Sequence, residues 1–425
     1  MKTVLQGGSI VRPDGVFAAD ISFENGRIVE MAERLPADGA EVVDATDCYV
    51  MPGAVDVCVR CLPDRLTETG RAAARGGTTC CGWLGAADAT DMPAPLPVDM
   101  VRLPELVPGE RPSGSVPHWL HADRPDGAAS VVRALRAAAD GGTRVLLRPE
   151  LPAVSQLLEE ELRAAGRRDV RSWPLAAPVY VEEEAVRLTL TLARAAGCGA
   201  GLLPLSTREA LCALREARER GQAVWAASSP QYLLLEESAY EEGAAEGLKY
   251  TMLPPLREAG QARHLWEALA SGLLDAVVSD HCDTTFEAKW AAGAADAFAC
   301  PAGVPGVETR LPLIFSEGVL KGRLTLSRLV QCLCSQPAHF LGCGERKGDL
   351  QPGFDADICL LDPAEERLLT ARRLHQGDYT PFEGVTVRGW PRAVWVRGHC
   401  VCRAGDSEPD AAAGMRGEWL SGGAA

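Results

Sequence analysis

The stretch Tyr49-Val50-Met51-Pro52-Gly53-Ala54-Val55-Asp56-Val57-Cys58-Val59-Arg60 divides the chain into two textures. Before Pro52-Gly53 the sequence reads as β. Val4 to Val11 and Val16 to Phe23 are apolar-rich runs separated by Pro13-Asp14-Gly15. Ile21 to Met31 alternates around Asn25-Gly26, the strongest short hairpin signal. After Gly53, Val55 to Val59 is a short strand of the type buried on both faces. Helices and strands then alternate. Helix is expected over Thr67–Arg75, Ala129–Ala139, Glu182–Ala196 and Arg208–Arg220, the last capped by Ser206-Thr207. Strand is expected over Thr78–Cys81, Arg144–Leu147, Gly201–Leu203 and Ala276–Val278. Such alternation means βα units and a parallel sheet, and about eight units fit between residues 53 and 340. Past residue 345 the β texture returns, at Ala356–Leu361, Val385–Val387, Ala393–Val396 and His399–Cys402.

The predicted fold class is therefore α/β: a (β/α)8 TIM-type barrel over residues 53–344, plus a small β-sandwich domain built from both chain ends, 1–52 and 345–425. The Gly- and Ala-rich tail from Ala411 is expected to fray. No internal repeat or low-complexity tract is present.

The chain has 425 residues, 43 Lys+Arg against 58 Asp+Glu, and a formal net charge of -15. Apolar residues make up 47% and charged residues 24%, a globular composition. The acidic balance excludes nucleic acid and anionic membrane surfaces as partners on general grounds, since either needs a basic patch. Met1-Lys2-Thr3 runs straight into strand pattern, and no apolar run approaches the roughly 20 residues of a membrane helix. A cytoplasmic protein is expected, its 15 scattered cysteines reduced and acting mainly as small buried hydrophobes.

Several blocks resemble the amidohydrolase superfamily. Asn25-Gly26-Arg27-Ile28, Asp44-Ala45-Thr46 and Val50-Met51-Pro52-Gly53-Ala54-Val55-Asp56 carry the general resemblance. Ser229-Pro230-Gln231-Tyr232-Leu233-Leu234-Leu235, Lys249-Tyr250, Pro254-Pro255-Leu256-Arg257 and Ser279-Asp280-His281-Cys282 are similar to dihydropyrimidinases and hydantoinases. So are Gly303 to Leu313, Gly318 to Arg323 and Pro381-Phe382-Glu383-Gly384. The resemblance spans essentially the whole chain. It implies a distorted barrel flanked by a β-sandwich, often in tetramers, that hydrolyses cyclic amides with two divalent metals, typically zinc. A metal-bridged hydroxide would attack the ring amide, and an Asp after the eighth strand would carry the proton.

The ligand positions that the resemblance implies are almost all changed. The two His of the first strand fall on Cys58 and Arg60. The carboxylated Lys of the fourth strand falls near Leu147 or Arg148, and the fifth-strand His near Ser172 or Trp173. The sixth-strand His falls on Pro204, and only Asp280 is retained. Shifting the alignment does not help. There is no His before His118 or between His121 and His264, and no Lys between Lys2 and Lys249. Leu253 and Ala302 also stand where relatives place polar residues around the substrate. Arg60 is always charged. At about 4 Å from a divalent ion, with an effective dielectric near 20, it would be repelled by roughly 8 kcal/mol. The reading is therefore no metal and no cofactor.

Each remaining feature has a functional and a plain reading. Asp280 is either a catalytic base or a vestigial carboxylate that needs a cation, and an Arg60–Asp280 ion pair is expected at the former metal site. Cys58, Cys61, Cys80 and Cys81 are either a thiolate metal site or buried apolar thiols, and strand alternation separates the last two. Cys58 is a nucleophile only if Arg60 lowers its pKa and a base is supplied by His118 or His121. His281 reads as structural. Three functions follow. The chain is an inactive, metal-free paralogue with a structural or regulatory role, in a homo-oligomer or with an active hydantoinase-like paralogue. Or it binds a small anionic ligand through Arg60, Arg148 and His118. Or it is an active hydrolase of dihydropyrimidine, hydantoin or dihydroorotate type.

Overall fold

The computed structural model describes residues 2–85, 96–112, 114, 116–121, 127–405 and 416–421. Strands from both chain ends form two sheets. Four strands lie in the order 27–32, 20–24, 3–6 and 41–44. Six lie in the order 399–403, 386–396, 358–368, 49–52, 9–12 and 15–18. Asn25 and Gly26 make the expected hairpin turn with φ of 50° and 80°. The Val4–Val11 run is broken because Gly7 turns the chain at φ 80°, its N–H donating to Asp20 Oδ1 at 2.9 Å. The expected strands at 385–387 and 393–396 are one long strand, Thr386–Val396. Leu5, Ile10, Phe23, Val50, Leu360 and Trp395 form the buried core of these sheets. Val50 pairs with Leu360, so neither end of the chain completes the domain alone.

The middle of the chain forms a ring of short parallel strands: β1 Ala54–Arg60, β2 Thr78–Trp83, β3 Asp99–Arg102, β4 His118–His121, β5 Val145–Arg148, β6 Ala200–Leu202, β7 Val224–Ser228 and β8 Ala276–Val277. β3 meets β4 through a bridge between Glu105 and Trp119, with Leu106 N–H donating to Trp119 O at 2.8 Å. After β8 the chain makes a two-residue rung, His281–Cys282, against Val59 and Arg60 of β1, and the ring closes. Side chains from opposite strands, Val55, Val57, Cys58, Leu146, Ala227 and Val278, pack together as only a closed barrel permits.

The expected fifth strand of the resemblance is not a strand. β5 pairs directly with β6, Val145 opposite Ala200. The chain between them forms two helices, Pro152–Ala164 and Val179–Ala196, and the 3-10 segment Val170–Ala176. Ser172 and Trp173 therefore lie in a helical turn. Asp169 caps it through Arg171 N–H, and the Trp173 indole donates to Met252 O at 3.0 Å. The strand carrying Arg148 is fifth in this ring because both β3 and β4 precede it. Among the described residues no helix is long and apolar enough to cross a membrane.

Two buried cations hold the pieces together. Arg310, fully buried, donates to Val55 O and Val277 O at 2.9 Å each and to Thr78 Oγ1 at 3.2 Å. It thereby clamps β1, β2 and β8 where the ring closes, with Asp56 Oδ2 3.7 Å from its Nε. Lys347 Nζ lies 2.5 Å from Asp99 of β3, 2.9 Å from Asp355 and 2.6 Å from Asp357. Those carboxylates converge closely enough to hold a metal ion, but the Lys347 ammonium stands among them. Burial opposes its charge, yet Asp357 and Asp99 keep it protonated, well above the usual lysine range. The C-terminal segment does not fray where it is described. Glu418 N–H donates to Asp99 Oδ1 at 2.8 Å, Leu420 N–H to Met100 O at 2.8 Å, and Trp419 meets Trp83 edge-on. Residues 411–415 and 422–425 of the expected frayed tail lie outside the described residues.

Replacing Lys347 by Met leaves three converging carboxylates without their shared cation. Breaking a buried pair of this kind costs about 3–5 kcal/mol. The expected outcome is a correspondingly lower urea midpoint for Lys347→Met, and an unchanged midpoint would contradict the role of this cation.

Candidate functional site

The C-terminal ends of β1, β5 and β8 bring together the residues that the sequence singled out. Arg60 ends β1, Arg148 ends β5, and Asp280 follows β8. Asp280 adopts φ 48°, a left-handed conformation that Asp tolerates better than most residues. Its backbone is fixed by neighbours: Ser279 N–H donates to Asp56 Oδ1 at 3.1 Å, and His281 N–H to Ser279 Oγ at 3.1 Å.

Three donors converge on one carboxylate oxygen. Arg148 Nη1 lies 3.1 Å from Asp280 Oδ1, Cys58 Sγ 3.2 Å, and Arg60 Nη2 3.5 Å. The expected Arg60–Asp280 pair is formed, but Arg148 makes the tighter contact. Arg148 is 3% exposed and fully engaged. Its Nε donates to Glu150 Oε1 at 3.1 Å and its Nη2 to Leu253 O at 3.2 Å. Glu150 Oε2 is in turn 3.7 Å from His121 Nδ1. Burial alone would push the Asp280 carboxyl up; Arg148 and Arg60 outweigh it and hold the group below the usual carboxylate range. Two guanidiniums face two carboxylates, so the formal charge of Arg60, Arg148, Glu150 and Asp280 cancels.

Several expectations change here. Cys58 is not activated. Burial, and then Asp280, push its thiol well above the ordinary value, outweighing Arg60. A buried thiol that donates to Asp280 is a poor nucleophile. His118 sits at the start of β4, its Nδ1 3.3 Å from Val116 O, facing Val145 rather than the mouth. The histidine at the mouth is His121, in register with Arg148. Pro204 is buried just beyond β6. Cys58, Cys61, Cys80 and Cys81 are all buried and, among the described residues, form no metal-ligating group. His281 is structural. Burial lowers its imidazole to about 3, and Nδ1 accepts from Gly306 N–H at 3.2 Å.

Glu150 was not identified from the sequence as a site residue, and His121 only as a possible base for Cys58. Arg148 and Glu150 are two apart, the spacing that puts side chains on one face of an extended chain, and that was the available signal. A second buried network flanks the mouth. Arg257 donates to Glu182 Oε2 at 2.8 Å and to Ser206 Oγ at 2.9 Å, while Ser206 N–H donates to Glu182 Oε1 at 2.7 Å. It connects the arch over β5 and β6 to the loop after β7.

The two divalent metals implied by the resemblance do not fit this residue set. The carboxylate oxygen of Asp280 that would ligate them is saturated by two guanidiniums and a protonated thiol. No imidazole occupies any of the changed positions, and a dication would meet Arg148 and Arg60 directly.

Comparison with known proteins places this geometry in a lineage. The amidohydrolase family model matches residues 189–401. The D-hydantoinase of Geobacillus stearothermophilus is 32% identical over 441 residues, covering 95% of this chain and 93% of that protein. The D-phenylhydantoinase of Escherichia coli strain K12 is 32% identical, covering 94% of each chain. The crystal structure of the dihydropyrimidinase from Brevibacillus agri NCHU1002 superposes with a TM-score of 0.92 at 28% identity, over 99% of this chain and 98% of that one. With full-length similarity in both sequence and fold, this chain belongs to the amidohydrolase family, on its hydantoinase and dihydropyrimidinase branch.

Proposed function

We propose that this chain is a non-hydrolysing, metal-free member of the hydantoinase branch that serves as a structural or regulatory subunit in an oligomer, of its own copies or with an active paralogue. The carrying observation is the Arg148–Asp280 contact at 3.1 Å, reinforced by Arg60 at 3.5 Å. The carboxylate at the family's proton-carrier position has its Oδ1 held by two guanidiniums and a thiol instead of directed at a metal-bound water. Its lowered pKa also makes it a weak base. The fold does not depend on metals here, because the charge at the mouth is internally compensated.

A second reading rests on Arg60. Its side chain is 36% exposed, its Nη2 reaches Asp280 only at 3.5 Å, and its buried Nε has no hydrogen-bond partner. These spare donors suit a small anion such as a ureido acid.

Purified protein dialysed against zinc, then freed of excess metal, is expected to retain well under one ion per chain. It should leave hydantoin and dihydrouracil intact. Stoichiometric zinc together with turnover that Asp280→Ala abolishes would overturn the proposal. Native mass spectrometry of the complex from its own source then separates the two readings. A mixed oligomer with a metal-bearing hydantoinase-like chain supports the subunit role, and a homo-oligomer with a small bound mass supports the anion site.

The ion cluster also predicts a pH dependence. A carboxyl held below its unfolded value of about 3.9 contributes stability above that pH and loses it as pH falls through the folded value. In Arg148→Met the carboxyls of Asp280 and Glu150 lose their shared cation. The expected cost is about 3–5 kcal/mol at pH 7, shrinking toward pH 4 as the freed Asp280 carboxyl takes up a proton. Urea unfolding at the two pH values measures this, and a cost independent of pH would contradict it.

A further inference from the structure

The opposite, N-terminal face of the barrel holds a cavity of about 540 Å³, within the range of small-molecule sites. It lies where β5, β6 and β7 begin, and its floor is aromatic. Trp225 of β7 stacks on Phe340 with ring centroids 4.3 Å apart and planes at 21°. Gly201 of β6 makes that floor possible, because a Cβ there would stand 2.5 Å from the Phe340 ring.

The wall chemistry is selective. Although the whole chain carries -15, no Asp or Glu lines this cavity, while Arg144 and His339 both do. Arg144 is exposed, and its guanidinium makes only a long bond, Nη1 to Phe340 O at 3.4 Å. No carboxylate lies within ion-pair distance of it among the described residues. A guanidinium with free donors beside a stacked aromatic pair suits a ligand that pairs a planar ring with a carboxylate.

We propose that this cavity is a binding site for a planar aromatic carboxylate, separate from the mouth of the barrel. Arg144 precedes β5 and Arg148 ends it, so the two sites are roughly 13 Å apart along one strand. The Trp225–Phe340 floor takes the ring, and Arg144 takes the carboxylate.

The test is calorimetric titration of the full-length protein with 2-naphthoate, beside its amine and alcohol analogues, 2-naphthylmethylamine and 2-naphthalenemethanol. The expected result is saturable binding of the carboxylate at one site per chain, with the amine and alcohol weaker. Arg144→Gln should weaken it about tenfold, the loss of one charge-assisted bond. Ala223→Trp, which fills the cavity from an exposed position, should abolish it, and Arg60→Ala should leave it unchanged. The proposal is overturned by no saturable heat at millimolar probe, by equal binding of the amine, or by binding lost in Arg60→Ala and kept in Arg144→Gln. None of these outcomes depends on whether the mouth holds metal.

Discussion

A carboxylate buried at the end of β8 has to be matched by positive charge, and the way Asp280 meets that requirement shapes everything around it. An ionised carboxylate with little access to water is tolerable only when paired and hydrogen-bonded. In the two-metal chemistry implied by the resemblance, the metals supply that charge. Here Arg148 and Arg60 supply it, and the replacement reaches outward. Arg148 is itself buried, so it recruits Glu150 and the carbonyl of Leu253. Glu150 in turn faces His121. Cys58 fills the remaining space and donates its proton to Asp280. Residues that look scattered along the chain thus form one electrostatic solution, and removing Arg148 alone would leave Asp280 and Glu150 without their shared cation.

The barrel shows the same logic on a larger scale. With no strand between β5 and β6, the ring still closes, because the short strands β3 and β4 both enter it. β3 is anchored less by its length than by charge, Asp99 facing Lys347 and Arg397. Arg310 performs a similar task at the seam between β8 and β1, where only two rungs of backbone pairing exist. Parallel strands this short contribute few hydrogen bonds, so buried side-chain donors take over part of the work.

Much of the fold was legible in the sequence because periodicity and punctuation are local. The hairpin at Asn25-Gly26, the strand at Val55–Val59 and the helix capped by Thr207 all follow from spacing alone. The absence of any His before His118 and of any Lys between Lys2 and Lys249 was equally plain. The replacement network was less so. Arg60 and Asp280 were paired from neighbouring strands, but the dominant partner, Arg148, comes from the far side of the ring. Its reach depends on the closing of β5 onto β6, a feature that no local pattern reports. His118 was favoured over His121 for want of a register, and one pairing, His121 opposite Arg148, settles it. The Lys347 cluster joins residues 99, 347, 355 and 357, and separations of that order leave no trace in a window of sequence.

The seat of the C-terminal segment on β3 also bears on how the chain assembles. Residues 417–420 bridge to Leu96 and Met100, so a barrel strand near residue 100 meets one of its partners only after residues 417–420 have left the ribosome. The sandwich imposes the same delay, since Val50 waits for Leu360. Contacts of such sequence separation slow folding and leave strand edges open in the interval. During synthesis both domains therefore stay unfinished, with strand edges uncovered, until residues 358–361 and 417–420 have emerged.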